Sequence, residues 1–379
     1  MSAYLDNSAT TRPIEPVFAA MNECMRGGYF NPSSLYAPAI EAERALSACR
    51  ARILEALHVQ GGRVIFTSGG TEANNLALLG AVRAMRGAQH LITTAVEHPS
   101  VLAAFEVLAA EGHALTVLEV DREGRLDWDQ LEAALGDPPA LVSCMQVNNE
   151  TGAILDIARL SARVRARAPE ALIHVDGVQG FLREAFDGRL ADLYTLSAHK
   201  LNGPKGVGAL YARAGVKLKP LLVGGGQEQA LRSGTENTPG IAGLNAAIEH
   251  MPPDAAARMR TLKLRLLEGL RVGIADVIVN GPAPELGAAH ILNVSLMGVR
   301  GEVMLHALEG EGIYCSTGSA CSSRKRRLSP VLTSMGIAPN VAECALRFSL
   351  CPHTTGDEID MAVQKACALH QALARFRRK

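Results

Sequence analysis

The densest run of reactive side chains is Leu196-Ser197-Ala198-His199-Lys200-Leu201-Asn202-Gly203-Pro204-Lys205-Gly206. A β-rich run, residues 192–196, leads in, and a glycine-rich segment, residues 203–208, leads out. Lys200 is therefore expected just past a strand end, where α/β proteins place ligands and chemistry. A lysine held there, with Ser197 and His199 as donors to an anion, suits a Schiff base to a carbonyl cofactor. For a single lysine a surface loop is the commoner case. Five further stretches shift the balance.

The first is Phe66-Thr67-Ser68-Gly69-Gly70-Thr71-Glu72-Ala73-Asn74-Asn75, a strand running through a double glycine into a helix. Gly70 lets the backbone approach a ligand, the helix start offers free N–H groups, and Thr71 adds a hydroxyl, which together make a phosphate cradle. It matches neither GxGxxG nor the Walker pattern, and a plain capped turn weighs about evenly against it. The second is Ile173-His174-Val175-Asp176-Gly177-Val178-Gln179, where an apolar strand delivers a carboxylate at its end. Pyridoxal phosphate needs an acid beside its pyridine nitrogen, and Asp176 meets that need, with Gln179 close enough for the ring oxygen. An Asp capping the next helix is the ordinary alternative. Glu97-His98-Pro99-Ser100 follows another strand, and His98 suits stacking on a flat ring or proton transfer near neutral pH, although a lone histidine is more often structural. Val147-Asn148-Asn149-Glu150-Thr151-Gly152 is a polar loop in which Asn149 can bond a cofactor hydroxyl or a substrate carboxylate; simple turn chemistry is the rival. The last is Cys315-Ser316-Thr317-Gly318-Ser319-Ala320-Cys321-Ser322-Ser323. Its small residues predict an exposed flexible segment, and the following Arg324-Lys325-Arg326-Arg327 favours the Cys321 thiolate as a nucleophile. Cys315, after Ile313-Tyr314, is expected to be buried.

The elements that must position these residues follow from the pattern. Strands are expected at 64–66, 91–93, 115–120, 141–145, 173–175 and 194–196, with helices at 72–85, 100–111, 128–135 and 157–168 between them. This alternation predicts an α/β fold: a mostly parallel seven-stranded-type sheet with helices on both faces. Residues 208–211 are expected to add an edge strand. Helices at 14–27 and 40–57 precede the sheet. After a helix at 239–251, Pro252-Pro253 marks a hinge. Beyond it a helix at 255–270, strands at 277–280, 291–296 and 345–350, a helix at 302–311 and a last helix from Thr355, with Glu358 completing a capping box, predict a smaller α+β domain. The expected division is residues 14–251 for the large domain and 1–13 with 252–379 for the small one.

The 379 residues carry zero net formal charge, 48% hydrophobic and 20% charged content, which favours a sizeable core and gives no support to nucleic-acid or membrane-surface binding. The 8 cysteines are dispersed without CxxC or Cys/His ligand spacing, so no metal site is expected and a reducing, cytoplasmic location is. No signal peptide and no membrane span are read from the sequence. Gly203-Pro204-Lys205-Gly206-Val207-Gly208 lacks the order and setting of a dinucleotide fingerprint, which excludes a nucleotide dehydrogenase.

Taken together, these stretches resemble the cysteine desulfurases, pyridoxal-phosphate enzymes of the class V aminotransferase group with fold type I architecture. The resemblance runs from Tyr4-Leu5-Asp6-Asn7-Ser8-Ala9-Thr10-Thr11 to Arg347-Phe348-Ser349-Leu350, with the motifs in the same order. It implies Lys200 as the Schiff-base lysine, Gly70, Thr71, Ser197 and His199 around the phosphate, and Asp176 at the pyridine nitrogen. It also implies Gln179 and Asn149 near the ring oxygen and His98 over the ring. Thr235, in Arg232-Ser233-Gly234-Thr235-Glu236-Asn237, would reach the phosphate of the other subunit, which implies a homodimer with shared sites. Arg347 would pair with the substrate carboxylate, and Cys321 would form a persulfide. The Gly318-Ser319-Ala320-Cys321 context resembles the group with a longer, mobile cysteine loop. Two departures stand out: the basic run after Cys321, where small and acidic residues are familiar, and Tyr36, where a histidine is frequent. The implied function is conversion of L-cysteine to L-alanine, with sulfur passed to an acceptor protein such as an iron–sulfur scaffold or a tRNA-thiolating enzyme. The rivals are a selenocysteine lyase or another cysteine or cysteine-sulfinate lyase of the same fold, and a non-catalytic sulfur carrier, against which the complete lysine and phosphate motifs argue.

Overall fold

The computed structural model describes residues 2–317 and 328–375. Strand β1 (Ala3–Tyr4) and helices α1 (Glu15–Gly27) and α2 (Ala37–Ala56) come first. The alternation then begins: β2 (Arg63–Thr67), α3 (Gly70–Val82), β3 (His90–Thr94), α4 (Pro99–Ala110), β4 (Ala114–Leu118), α5 (Trp128–Ala134), β5 (Leu141–Met145), α6 (Ile157–Arg167) and β6 (Leu172–Asp176). Two strands follow without an α-helix between them, β7 (Leu193–Ser197) and β8 (Gly208–Ala212), and α7 (Thr238–Glu249) closes this part. These strands form one seven-stranded sheet in the order β2-β8-β7-β6-β5-β3-β4. Its inner strands are apolar on both faces: every residue of β5, β7 and β8 is buried. That is what a sheet covered on both sides requires.

Six of the seven strands run parallel, and β8 alone opposes them, pairing antiparallel with β2 and β7. The expected edge strand at 208–211 is therefore corrected: β8 lies inside the sheet, and β2 and β4 are the edges. Gly-Ala-Leu-Tyr-Ala has no polar alternation, so both of its faces need cover, which an edge cannot give. Edge strand β4 keeps only Leu118 fully buried. One apolar cluster packs α2 and α6 against one face of the sheet, and another packs α3 and α4 against the opposite face. Local signals set the helix starts: Asp127 caps α5 through the N–H groups of Asp129 and Gln130, both at 3.0 Å, and Asp156 caps α6 through the Arg159 N–H at 2.9 Å.

Pro252-Pro253 separates α7 from α8 (Ala255–Gly273). Then come β9 (Val277–Val279), β10 (Ile291–Leu296), α9 (Gly301–Gly310), β11 (Ile313–Tyr314), α10 (Pro330–Ser334), α11 (Pro339–Ala342), β12 (Ala345–Ser349) and α12 (Gly356–Arg375). Strands β12, β10 and β9 form an antiparallel sheet in that order, with α8 and α12 in its apolar cluster. The capping box at the start of α12 is present: Glu358 Oε2 accepts from the Thr355 N–H at 2.8 Å, and Thr355 Oγ1 accepts from the Glu358 N–H at 3.3 Å. The N-terminal strand β1 pairs in parallel with β11 as a separate two-stranded sheet, and Asp6 makes an isolated parallel bridge to Ser349 at the end of β12.

Candidate active site

Five parallel strands end on the same edge of the large sheet, and each end carries one of the stretches singled out from the sequence. After β2 comes Gly70, after β3 His98, after β5 Asn149, at the end of β6 Asp176, and after β7 Lys200. They converge on a cleft of about 620 Å³. Gly70, Thr71, His98, Asn149, Asp176, Gln179, Ser197, His199, Lys200 and Arg347 all line it, together with Ser8 and Ala9. Thr235 stands apart, in a second cavity of about 200 Å³ beside Ser68 and Arg232. Cys321 and the basic run Arg324–Arg327 lie outside the described residues. Tyr36 sits edge-on to Phe30, is 52% exposed, and is not among the residues that line the cleft.

Lys200 Nζ donates to the carbonyls of Ser8 at 2.5 Å and Ala9 at 2.7 Å, so the N-terminal segment fixes the amine. Burial, then the charges of Arg183 and Arg347, hold the Lys200 amine down to about 7, against the pull of Asp6 and Asp176. The same Ser8 carbonyl accepts from Gln179 Nε2 at 2.9 Å, and Gln179 Oε1 accepts from the buried Arg183 at 3.2 Å. His199 is held down to about 4 by burial and by Lys200 and Lys205, so it is a neutral imidazole at pH 7, in contact with Thr10 Oγ1 at 3.1 Å.

Asp176 Oδ2 accepts from Asn74 Nδ2 at 2.8 Å, and its Oδ1 accepts from the Val178 N–H at 3.0 Å. The ordinary alternative, a cap for a following helix, is not met, since no α-helix follows β6 before β7; the carboxylate instead shapes the turn at Val178 and also lines the cleft. His98 likewise caps α4, accepting from the Ser100 N–H, while its ring lines the cleft. Beside it Glu97 accepts from Thr94 Oγ1 at 2.7 Å and from the Met145 N–H at 2.8 Å; burial pushes its carboxyl up to about 8, so it is largely protonated at neutral pH. Arg347 Nη2 pairs with Asp6 Oδ1 at 2.6 Å and Nη1 donates to the Asn149 carbonyl at 2.9 Å, which holds a guanidinium that is 2% exposed at the wall of the cleft. Cys315 is half-buried, and desolvation pushes its thiol up to about 12.

These residues fit pyridoxal phosphate on three observations. The α3 helix starts at Gly69-Gly70 with no side chain accepting from its first N–H groups, which leaves them open to an anion. A Cβ on Gly70 would meet Val178 Cγ2 at 2.8 Å, so only glycine lets the backbone approach there. Ser197 Oγ is buried without a partner, a hydroxyl that an anion would satisfy. Residues missed from the sequence are the Ser8 and Ala9 carbonyls, Asp6, Arg183 and Asn74. Only Asn74 left a signal: it lies one helical turn beyond Gly70, on the face that the cradle presents to the cleft.

A buried amine, a strand-end carboxylate and a helix-start anion site on a mostly parallel sheet define a pyridoxal-phosphate enzyme of fold type I. The chain belongs to the class V aminotransferase family, whose profile, Aminotransferase class-V, matches residues 3–361. "Cysteine desulfurase 2" of Trichormus variabilis is 40% identical over 367 residues, covering 95% of this chain and 91% of that protein. The solved structure of a "NIFS-LIKE PROTEIN" superposes with a TM-score of 0.91 at 34% identity, covering 98% of this chain and 100% of the other. A structure described as "SspA in complex with cysteine" gives 0.82 at 30% identity, covering 93% of this chain and 100% of that one.

Proposed function

We infer that the protein is a cysteine desulfurase: it takes L-cysteine, releases L-alanine and keeps the sulfur as a persulfide on Cys321. The observation that carries this reading is the convergence of Lys200, Asp176, His98 and Arg347 on one cleft. The likeness to curated cysteine desulfurases along nearly the whole chain supports it.

Pyridoxal phosphate, when bound, supplies an electron sink for negative charge at the substrate Cα. Thr71, Ser197, His199 and the open N–H groups of α3 would hold its phosphate. Asp176 would face the ring nitrogen, Gln179 and Asn149 the ring oxygen, and His98 the ring face. Arg347 binds the substrate carboxylate, for which a preset guanidinium fork is suited. Lys200 Nζ moves the Cα proton; an amine held down to about 7 is available in its neutral form near neutral pH. Cys321 Sγ attacks the substrate sulfur. An S–S bond forms as the substrate Cβ–S bond breaks, the bonding pair passes to carbon, and that carbon takes a proton and leaves as alanine. The persulfide is reversible, so the sulfur moves on to an acceptor protein.

The same reading includes a homodimer in which Thr235 serves the partner's phosphate site, a cytoplasmic location, and an iron–sulfur scaffold or tRNA-thiolating enzyme as acceptor. It also includes the two-domain division at residues 14–251 and 1–13 with 252–379. No described helix is long and apolar enough to cross a membrane. The test is alanine and sulfide release from L-cysteine with added pyridoxal phosphate and a thiol reductant, for wild type, Cys321→Ala and Lys200→Ala. Stoichiometric alanine and sulfide, lost in both variants, is the expected result. Alanine release that survives Cys321→Ala would make the protein a lyase that does not use this thiol.

A further inference from the structure

Between Asp176 and His98 lies a buried chain of hydrogen bonds whose hydrogens can be counted. Asn74 is 1% exposed, and its amide nitrogen carries two hydrogens. One goes to Asp176 Oδ2 at 2.8 Å and the other to Ser100 Oγ at 2.9 Å. The opposite orientation of the amide would set its oxygen against the Asp176 carboxylate, so the amide's direction is fixed by charge even though its Oδ1 is left unpartnered. Ser100 Oγ, having accepted from Asn74, has its own hydrogen left to give. The acceptor in reach is His98 Nδ1 at 2.8 Å. The Ser100 backbone N–H points at the same atom from 3.1 Å. Nδ1 thus faces two donors and must accept from both. In a neutral imidazole the hydrogen then sits on Nε2.

We propose that Ser100 and Asn74 are positioning residues that lock His98 in its Nε2–H tautomer and join it to Asp176, so that His98 enters the reaction as a donor rather than as a base. The proposal rests on the desulfurase reading of the cleft for its catalytic meaning, but the tautomer stands independently of it. Among the described residues His98 Nε2 has no hydrogen-bond partner, and the ring lines the cleft, which leaves that N–H for a bound group. To protonate Nδ1, the Ser100 hydroxyl would have to reverse and the backbone N–H would have to give up its acceptor. The charged groups around the ring act in both directions: Asp176 at the end of β6 favours the imidazolium, while Lys200 after β7 opposes it along with burial. Glu97, next in sequence, is turned away to Thr94 and the Met145 N–H. The relay adds to burial and Lys200 in keeping the ring neutral.

The test is nitrogen magnetic resonance of the full-length protein labelled with [15N]histidine, recorded with pyridoxal phosphate bound and again after its removal. The His98 signals are assigned by their loss in His98→Gln. In the wild type, Nδ1 is expected at the position of an unprotonated nitrogen and Nε2 at that of a protonated one. Ser100→Ala and Asn74→Leu are expected to move the His98 titration midpoint upward and to populate the Nδ1–H form. In parallel, the acid limb of kcat/KM for alanine release should move to higher pH in Ser100→Ala. A wild-type ring protonated on Nδ1 would overturn the proposal without any variant. So would a tautomer and midpoint unchanged by Ser100→Ala, whatever happens to activity. Absence of alanine formation in the wild type, with the nitrogen signals as expected, would instead count against the desulfurase reading alone.

Discussion

At the scale of single residues, Lys200 shows how one environment serves chemistry at a cost to stability. Its amine is held down from 10.5 to about 7, first by desolvation and then by Arg183 and Arg347. In the unfolded chain the amine keeps its ordinary affinity for protons, so between about pH 7 and pH 10.5 the unfolded state binds more protons than the folded one. Stability therefore rises with pH across that window, and the full penalty applies below it. Lys200→Met removes the penalty. The variant is expected to melt a few degrees above wild type, in the cofactor-free form, with a larger gain at pH 6 than at pH 9. Calorimetry at the two pH values checks this, and equal gains at both would show that the amine is not desolvated in the fold. Lys200, Asp176 and His98 stood out in the sequence because each carries a reactive group at or just past a strand end, whereas Arg347 lies in the middle of β12 and was reached only through the family resemblance. Asn74 and Asp6 were not, because their roles are contacts: Asn74 meets Asp176 across 102 residues, and Asp6 meets Arg347 across 341. Nothing local marks Asp6, and the place of Asn74 one turn beyond Gly70 marks its face but not its partner.

At the scale of elements, the sheet edge does the positioning, and its precision depends on close approaches between neighbouring strands. Gly177 follows β6, and a Cβ there would lie 1.9 Å from Tyr194 Cζ of β7. Tyr194 cannot yield: it is fully buried, and its hydroxyl donates to Gln146 Oε1 at 2.7 Å. Gly177→Ala is expected to cost about 3 kcal/mol or more, at the upper end for overpacking, measured as a shift in the denaturant midpoint with the slope unchanged. Because Gly177 adjoins Asp176, cofactor affinity should fall with it. A variant with wild-type stability would show that β6 and β7 can separate at this point. The strands themselves were readable from apolar runs and their turns. The position of β8 was not, because chain order does not say where an antiparallel strand inserts; the uninterrupted apolar run Gly-Ala-Leu-Tyr-Ala was the available signal for burial on both faces. A second element had no signal at all. Glu228, Gln229 and Ala230 take φ values of +47°, +58° and +62°, a left-handed turn without glycine. Tertiary anchors hold it: Glu228 accepts from the Phe66 N–H at 3.0 Å and pairs with Arg50 at 3.0 Å. Those contacts seat the segment that carries Thr235.

At the scale of the whole molecule, the described chain leaves apolar side chains in water that a monomer has no use for. Leu35 is 94% exposed, Val223 81% and Tyr29 68%, with Met25 at 54% and Phe18 at 45%. Tyr29 and Phe30 stack at 4.5 Å, so the residues between α1 and α2 present an aromatic knob. Single exposed hydrophobes are ordinary, but Met25, Tyr29 and Leu35 follow one another at the end of α1 and just beyond it, the pattern of an interaction surface. Thr235 is absent from this chain's own cleft and yet belongs to the proposed phosphate site, which a second copy would complete. A second copy supplying Thr235 across the surface would account for both. The protein is therefore expected to sediment at about twice 40.1 kDa. Leu35→Glu combined with Val223→Asp should shift it toward the monomer at micromolar concentration, since each copy then carries two new charges, and burying even one costs several kcal/mol. If Thr235 acts across the interface, the monomeric variant must also lose affinity for pyridoxal phosphate, by roughly tenfold or more for a lost charge-assisted hydrogen bond. Thr235→Ala should reproduce that loss while leaving the dimer intact. Sedimentation velocity and cofactor titration on the same three samples separate the cases: a monomer that binds the cofactor as tightly as wild type would show that each cleft is complete within its own chain.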